Sequence, residues 1–156
     1  MEGGPMKELD ARSIKNLVTL DPKARVIFQN FLLEAKIIAE ELGCDYVGIS
    51  GHRTWEEQDR LFTQRPVVTR AAGGYSNHNF GIAMDFGVFR GKTYLDSNNP
   101  GLASKVHRAV AQIANRHGLD WGGDWPKFRD EPHFEIETGL TMAQKRNVYK
   151  KRGSVL

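Results

Sequence analysis

Between Ser76 and Asp85 the chain reads Ser-Asn-His-Asn-Phe-Gly-Ile-Ala-Met-Asp, and a second histidine, His133, follows in Asp130-Glu131-Pro132-His133-Phe134-Glu135. Imidazole nitrogen and carboxylate oxygen both ligate zinc at roughly 2.0–2.2 Å. His78, Asp85 and His133 are therefore a candidate ligand set for Zn2+. Three protein ligands with a fourth position open define a catalytic rather than a structural site, where water acquires a pKa near ~7 and becomes a nucleophile. Hydrolysis is the chemistry that follows. Two carboxylates, Asp130 and Glu131, precede His133, and one of them could act as base. Singly, a histidine followed by an aspartate is most often a surface or hydrogen-bonded pair. The joint pattern Ser-x-His-x-x-Gly-x-Ala-x-Asp fixes five positions, a coincidence on the order of one window in a million at ordinary residue usage. Cys44 is the single cysteine of the chain, which excludes an internal disulfide, a CxxC pair and a cysteine-rich zinc knuckle.

The elements that must hold these residues are legible in part. Asp21-Pro22 is an N-cap followed by proline at the first helical position, and Ile27, Phe31, Ala35, Ile38 and Leu42 repeat at helical spacing up to Gly43. Tyr46 to Ser50 reads as a short buried strand. Thr54-Trp55-Glu56-Glu57 is a capping box that opens a helix to about Gln64. Arg65 to Asn79 has little periodicity, and a loop of that length in a compact domain commonly serves a site. From Phe80 to Val88 the apolar residues alternate with Gly81, Ala83, Asp85 and Gly87, so one face of the expected strand is bare enough to admit a ligand. A helix from Asn99-Pro100 to Gly118, a last strand from His133 to Ile136 and a basic helix from Thr141 to Lys151 complete the expectation. Mixed helices and hairpin-type strands predict an α+β fold.

The pattern around His78 and Asp85, followed by an acid-x-x-His, resembles the zinc peptidases of the M15 type. These include D-Ala-D-Ala carboxypeptidases and dipeptidases and phage L-alanyl-D-glutamate endolysins. The likeness runs from about Ser13 to Ile136. It implies a small antiparallel sheet with flanking helices, the architecture of the hedgehog and D-Ala-D-Ala peptidase domains. It also implies that His78, Asp85 and His133 bind zinc and that Asp130 is the general base. Strand alternation lets only one of Asp130 and Glu131 face the metal, and the Asp-x-x-His form is similar to the endolysin branch, the dipeptidases having glutamate there. Arg53 matches the family's arginine, which orients substrate or stabilises the carbonyl oxygen as it gains charge. Gln58 and Ser76 match positions that line the site, although Gln58 on a helix could equally be solvated and Ser76 could only brace the loop. Trp125 is similar to the aromatic that borders the groove, while its default reading is core. His52, His107 and His117 read as structural or surface residues.

Length and composition set the frame. The 156 residues, 40% hydrophobic and 26% charged, predict a single peptidase domain over residues 6–156 with no separate cell-wall-binding domain. Met1–Pro5 reads as an appended start. Lys and Arg exceed Asp and Glu by 22 to 19, which suits an anionic partner without choosing one, and Lys145-Arg146 with Lys150-Lys151-Arg152 could assist at an anionic envelope or form a solvated helix end. No apolar run approaches the ~20 residues that span a bilayer, so no stable membrane insertion is expected. No signal peptide is expected either. The predicted partner is the peptidoglycan stem peptide, with no nucleic acid, and the predicted state is a monomer. The expected setting is the host cytoplasm followed by holin-type release to the periplasm and cell wall. The alternatives are a D,D-carboxypeptidase or dipeptidase of the same fold and a non-catalytic zinc-containing binding module. A nucleic-acid-binding protein would rest on net charge alone.

Overall fold

The computed structural model describes residues 8–156, so Met1–Pro5 and the start of the expected domain lie outside the described residues. Two helices open the fold, α1 (Ala11–Leu17) and α2 (Pro22–Glu41), followed by strand β1 (Asp45–Ser50) and helix α3 (Trp55–Thr63). After the long loop comes a 3-10 turn, Asn77–Phe80, then β2 (Ala83–Arg90), β3 (Thr93–Tyr94), α4 (Leu95–Asn98) and α5 (Pro100–Ala111). Strands β4 (Leu119–Trp121) and β5 (His133–Ile136) and helix α6 (Met142–Arg152) close it. The sheet order is β1-β2-β5-β4, with β3 on β2, and every pairing is antiparallel. This is the mixed helix and small antiparallel sheet expected from the sequence.

Helix α2 forms the floor of the core. The Asp21 carboxylate accepts from the Lys23 amide at 2.9 Å, and Pro22 occupies the first turn, where a missing N–H costs nothing. The buried stripe is Ala24, Phe28, Phe31, Leu32, Ala35 and Ala39, rotated by about one residue from the stripe read off the sequence. Ile27, Ile38 and Leu42 are its half-buried flanks. Apolar residues lie on both sides of this helix, and aromatic packing decides the rotation: Phe31 meets Phe86 at 5.6 Å and Phe134 at 4.9 Å, and Phe28 meets Phe86 at 6.3 Å.

Several boundaries differ from expectation. Strand β2 starts at Ala83, because Phe80 ends the 3-10 turn and Gly81 sits at φ +67°. There it accepts from the Asp21 amide at 3.1 Å, and a side chain would press on that amide. The bare face of β2 is not all ligand space: a Cβ at Gly87 would stand 2.8 Å from the Tyr94 ring, so glycine is needed there for packing. Helix α5 ends at Ala111 rather than Gly118, and the chain re-enters a 3-10 turn, Ala114–His117. Helix α1 and strands β3 and β4 had no sequence signal, being seven, two and three residues long. Helix α1 is held by tertiary bonds. Ser13 Oγ accepts from the Gly48 amide at 2.9 Å, and Asn16 donates to the Gly48 carbonyl at 2.9 Å.

Candidate active site

The central relationship is a register. Asp85 on β2 is the Cα partner of His133 on β5, so their side chains leave the sheet on the same face. The third residue, His78, arrives on the 3-10 turn whose N-cap is Ser76. The Ser76 hydroxyl accepts from the His78 amide at 3.2 Å while Asn79 Oδ1 accepts from the Ser76 amide at 3.2 Å. Asp85 Oδ1 then lies 3.1 Å from His78 Nε2 and 2.9 Å from His133 Nδ1, and all three ligand atoms fall within 4.8 Å of one another.

Ligand atoms of a tetrahedral zinc ion stand roughly 3.3 Å apart, and the two separations from Asp85 Oδ1 lie close to that, so the donor types and spacing fit the ion. The far side of each ring fits as well. His78 Nδ1 meets the Gly51 carbonyl at 2.7 Å, and His133 Nε2 meets Glu135 Oε1 at 2.7 Å. Such partners keep a proton on the outer nitrogen, so that the inner one is the nitrogen a bound metal would use, in place of any proton it carries. Burial alone would disfavour a charged His133, but its bonds to Asp85 and Glu135 outweigh that and raise its pKa to about 10. Burial likewise opposes the Asp85 anion, and the two histidines pull its pKa far below the ordinary carboxylate range. The three side chains form a candidate metal site.

The remaining residues singled out in the sequence take distinct places. Arg53 lies just beyond the bulge that ends β1, where Ser50 rather than Ile49 pairs with Asp85. It donates from Nη2 to Asp85 Oδ2 at 3.1 Å and to Ser50 Oγ at 3.3 Å, and from Nη1 to Gln58 Oε1 at 3.1 Å. Of the five guanidinium donors, three are thus engaged, leaving two for another group. Gln58 neither lines the site nor is solvated. It is fully buried under α3, donating to Thr69 Oγ1 at 3.2 Å and the Ala71 carbonyl at 2.8 Å, and acts on the site through Arg53. Ser76 braces the turn, its oxygen being given to His78. Trp125 is half-buried with its ring 5.1 Å from that of His133, at the edge of the cluster.

Asp130 and Glu131 point apart. Glu131 turns to α5, accepting from Ser104 at 3.0 Å with Arg108 Nε at 3.6 Å. Asp130 lies within electrostatic reach of the cluster: burial and then the Asp85 charge raise its pKa, while His133, His78 and Arg53 pull it down. The loop carrying it is pinned by Trp121 Nε1, which donates to the Glu131 carbonyl at 2.7 Å, and by the Asp130 amide, which donates to the Gly122 carbonyl at 3.1 Å. A cleft of about 680 Å³ opens beside Asp130, lined also by Ser104, Arg108, Trp121 and Arg129. Another of about 460 Å³ adjoins Arg53, lined also by Ser50, His52 and Arg60.

Two residues of the site escaped the sequence reading. Glu135 carries no distinctive signal, because a carboxylate in a strand has many surface explanations, although its place two residues after His133 puts it on the same strand face. Asn77, which donates to Glu135 Oε2 at 2.6 Å, had no signal. His107 and His117 are held in pairs away from the cluster. His107 is buried between Tyr46 Oη and Asp96, each at 2.6 Å, and His117 pairs with Glu34 at 2.8 Å.

Solved structures share this fold. The Serratia marcescens L-Ala D-Glu endopeptidase ChiX has the same fold, with a TM-score of 0.59 at 22% identity over 83% of this chain and 89% of that one. The vancomycin-resistance D,D-pentapeptidase VanY, whose structure is a complex with Zn(II), gives 0.53 at 16% identity over 86% and 80%. Residues 69–136 match the peptidase M15 family model described as D-alanyl-D-alanine carboxypeptidase. The peptidoglycan L-alanyl-D-glutamate endopeptidase CwlK of Bacillus subtilis (strain 168) is 37% identical over 112 residues, which are 65% of this chain and 66% of that protein's length. The chain thus carries a peptidase M15 family domain.

Proposed function

We propose that this chain is a zinc-dependent peptidoglycan endopeptidase that hydrolyses the amide between L-alanine and D-glutamate of the stem peptide. The observation that carries the reading is the convergence of His78 Nε2, Asp85 Oδ1 and His133 Nδ1 beside Asp130. The 37% identity to an L-alanyl-D-glutamate endopeptidase supports the choice of bond. A zinc ion held by the three residues supplies Lewis acidity, polarising a carbonyl and making water nucleophilic near neutral pH. Asp130 accepts the proton of the attacking water and delivers it to the leaving amine nitrogen. The two unengaged donors of Arg53 orient the substrate and stabilise charge growing on the carbonyl oxygen, while Asp85 and Gln58 keep the guanidinium from moving. Trp125 forms the wall of the groove next to His133.

The test is mass spectrometry of products released from purified peptidoglycan, with and without a chelator. New peptides beginning at D-glutamate, lost on chelation and restored by zinc, are the expected result. Release of terminal D-alanine would move the chain to carboxypeptidase activity, and zinc binding with no product would make it a binding module.

The Asp-x-x-His spacing of Asp130 and His133 supports a phage or prophage lytic role, with the enzyme waiting in the cytoplasm and reaching the wall through a separate membrane lesion. Expression in a Gram-negative host should then lyse cells only when the inner membrane is permeabilised. Lysis without permeabilisation, or none with it, would reject that role.

A further inference from the structure

Helix α6 carries a lysine that behaves unlike its basic neighbours. Arg146 stacks on the Tyr75 ring at 4.1 Å and donates to the Gly74 carbonyl at 3.1 Å, Lys150 lies over the Trp55 ring at 5.5 Å, and Lys151 and Arg152 are exposed. Lys145 instead is only 6% exposed, and its Nζ donates at 2.7 Å to Asn77 Oδ1, a neutral amide. Burying an ammonium is costly; the Glu135, Glu137 and Asp120 carboxylates nearby offset part of that cost, but the one hydrogen bond goes to Asn77, and it has a direction.

The chain of bonds beyond Asn77 carries that direction onward. Lysine can only donate and an ionised carboxylate can only accept. With Lys145 on Oδ1, the Asn77 amide has a single orientation, which aims Nδ2 at Glu135 Oε2, 2.6 Å away. Glu135 Oε1 then meets His133 Nε2 at 2.7 Å, and His133 Nδ1 is left facing Asp85 Oδ1 at 2.9 Å. Every link is directional, and the last one selects the ring nitrogen that faces the cluster.

We propose that Lys145 is a positioning residue of the metal centre: acting through Asn77 and Glu135, it fixes the tautomer and orientation of His133, so that the C-terminal helix is part of the zinc site. This rests on the reading of His78, Asp85 and His133 as ligands. Without Lys145, Asn77 Oδ1 is orphaned in a buried position, so the amide loses the anchor that holds its Nδ2 on Glu135, and the carboxylate holds the ring less firmly.

The experiment measures zinc affinity by competition with a chromophoric chelator, the visible spectrum of the cobalt-substituted protein, and the melting temperature of the metal-free protein. Loss of an outer partner of a metal ligand costs about 10–100-fold in affinity. Lys145→Met should weaken zinc by about tenfold, near the lower end of that range because the lysine acts two bonds away, and should alter the cobalt band; Lys145→Arg should restore most of both. Asn77→Asp keeps the volume and a partner for Lys145 but has no donor for Glu135, so it should weaken zinc similarly even if Lys145→Met does not fold. In the Asn77→Asp background, Lys145→Met should add little. Wild-type zinc affinity within twofold in both Lys145→Met and Asn77→Asp would overturn the proposal and leave Lys145 a packing residue. Absence of zinc binding by the wild type would overturn the metal-centre reading and this proposal with it.

Discussion

Gly122 and Asp130 are held backbone to backbone. The Asp130 amide donates to the Gly122 carbonyl at 3.1 Å, and a Cβ on Gly122 would collide with the Asp130 carbonyl oxygen and stand 3.1 Å from His133 Cβ. The same Gly122 carbonyl accepts from the Trp125 amide at 3.2 Å. One glycine thus sets the loop that carries both the groove-wall tryptophan and the acid beside the cluster. A Gly122→Ala variant should lower kcat/KM by about tenfold or more, because misplacing a catalytic group by an ångström can cost 10²-fold. Zinc content at saturating metal should stay near one per chain. An unchanged rate would show that the loop adapts without moving Asp130.

Asp130→Asn should retain zinc and lose roughly 10²–10⁴-fold in activity, the usual contribution of a positioned proton carrier. Glu131→Gln should leave activity near wild type, since that carboxylate is turned to Ser104 and Arg108. The reverse pattern, read from parallel zinc titrations and peptidoglycan turnover, would transfer the base role to Glu131.

Gln58→Leu orphans an Arg53 donor and removes two bonds to the 65–75 loop, at Thr69 and Ala71. Breaking buried hydrogen bonds with one partner left behind costs about 1–3 kcal/mol, so denaturant unfolding should show a loss of that order. Activity should fall further than zinc affinity, because Arg53 and not a metal ligand loses its support.

Asp120 and Glu137 share a carboxyl–carboxyl contact, and burial together with the Glu137 carboxylate raises the Asp120 pKa to about 6. Its folded-state pKa therefore lies above its ordinary value of 3.8. The native state favours the protonated form, so this contribution to stability is fully present below about pH 4 and is lost as pH rises through about 6. Asp120→Asn should melt higher than wild type at pH 7, with the difference shrinking as pH falls from 6 to 4. A difference independent of pH would place the titration elsewhere.

Phe31→Ala removes the ring that joins α2 to both Phe86 and Phe134. A loss of about 3–5 kcal/mol is expected for a fully buried phenylalanine, measurable by denaturant unfolding of the metal-free protein. Because Phe86 and Phe134 each adjoin a candidate ligand in sequence, zinc affinity should fall as well.

The chemistry of the site was written in local sequence. His78, Asp85 and His133 could be named because a metal ligand must be one of few residue types. The spacing of Ser76, His78, Gly81, Ala83 and Asp85 encodes a capped turn, a left-handed glycine and a strand in sequence order. Caps at Asp21 and Thr54 were legible for the same reason: each is satisfied by an amide two or three residues away. What depends on partners distant in the chain was not legible. The rotation of α2 follows from rings on β2 and β5, and α1, capped locally by Asp10, is fixed in place because β1 receives Ser13 and Asn16. The choice of Asp130 over Glu131 follows from which one the β4–β5 loop brings within electrostatic reach of Asp85. Gln58, Asn77, Glu135 and Lys145 acquire their roles only from partners brought beside them by the sheet. A ligand type is an intrinsic property of a side chain, whereas the direction of a hydrogen bond is fixed only when both of its ends are in place.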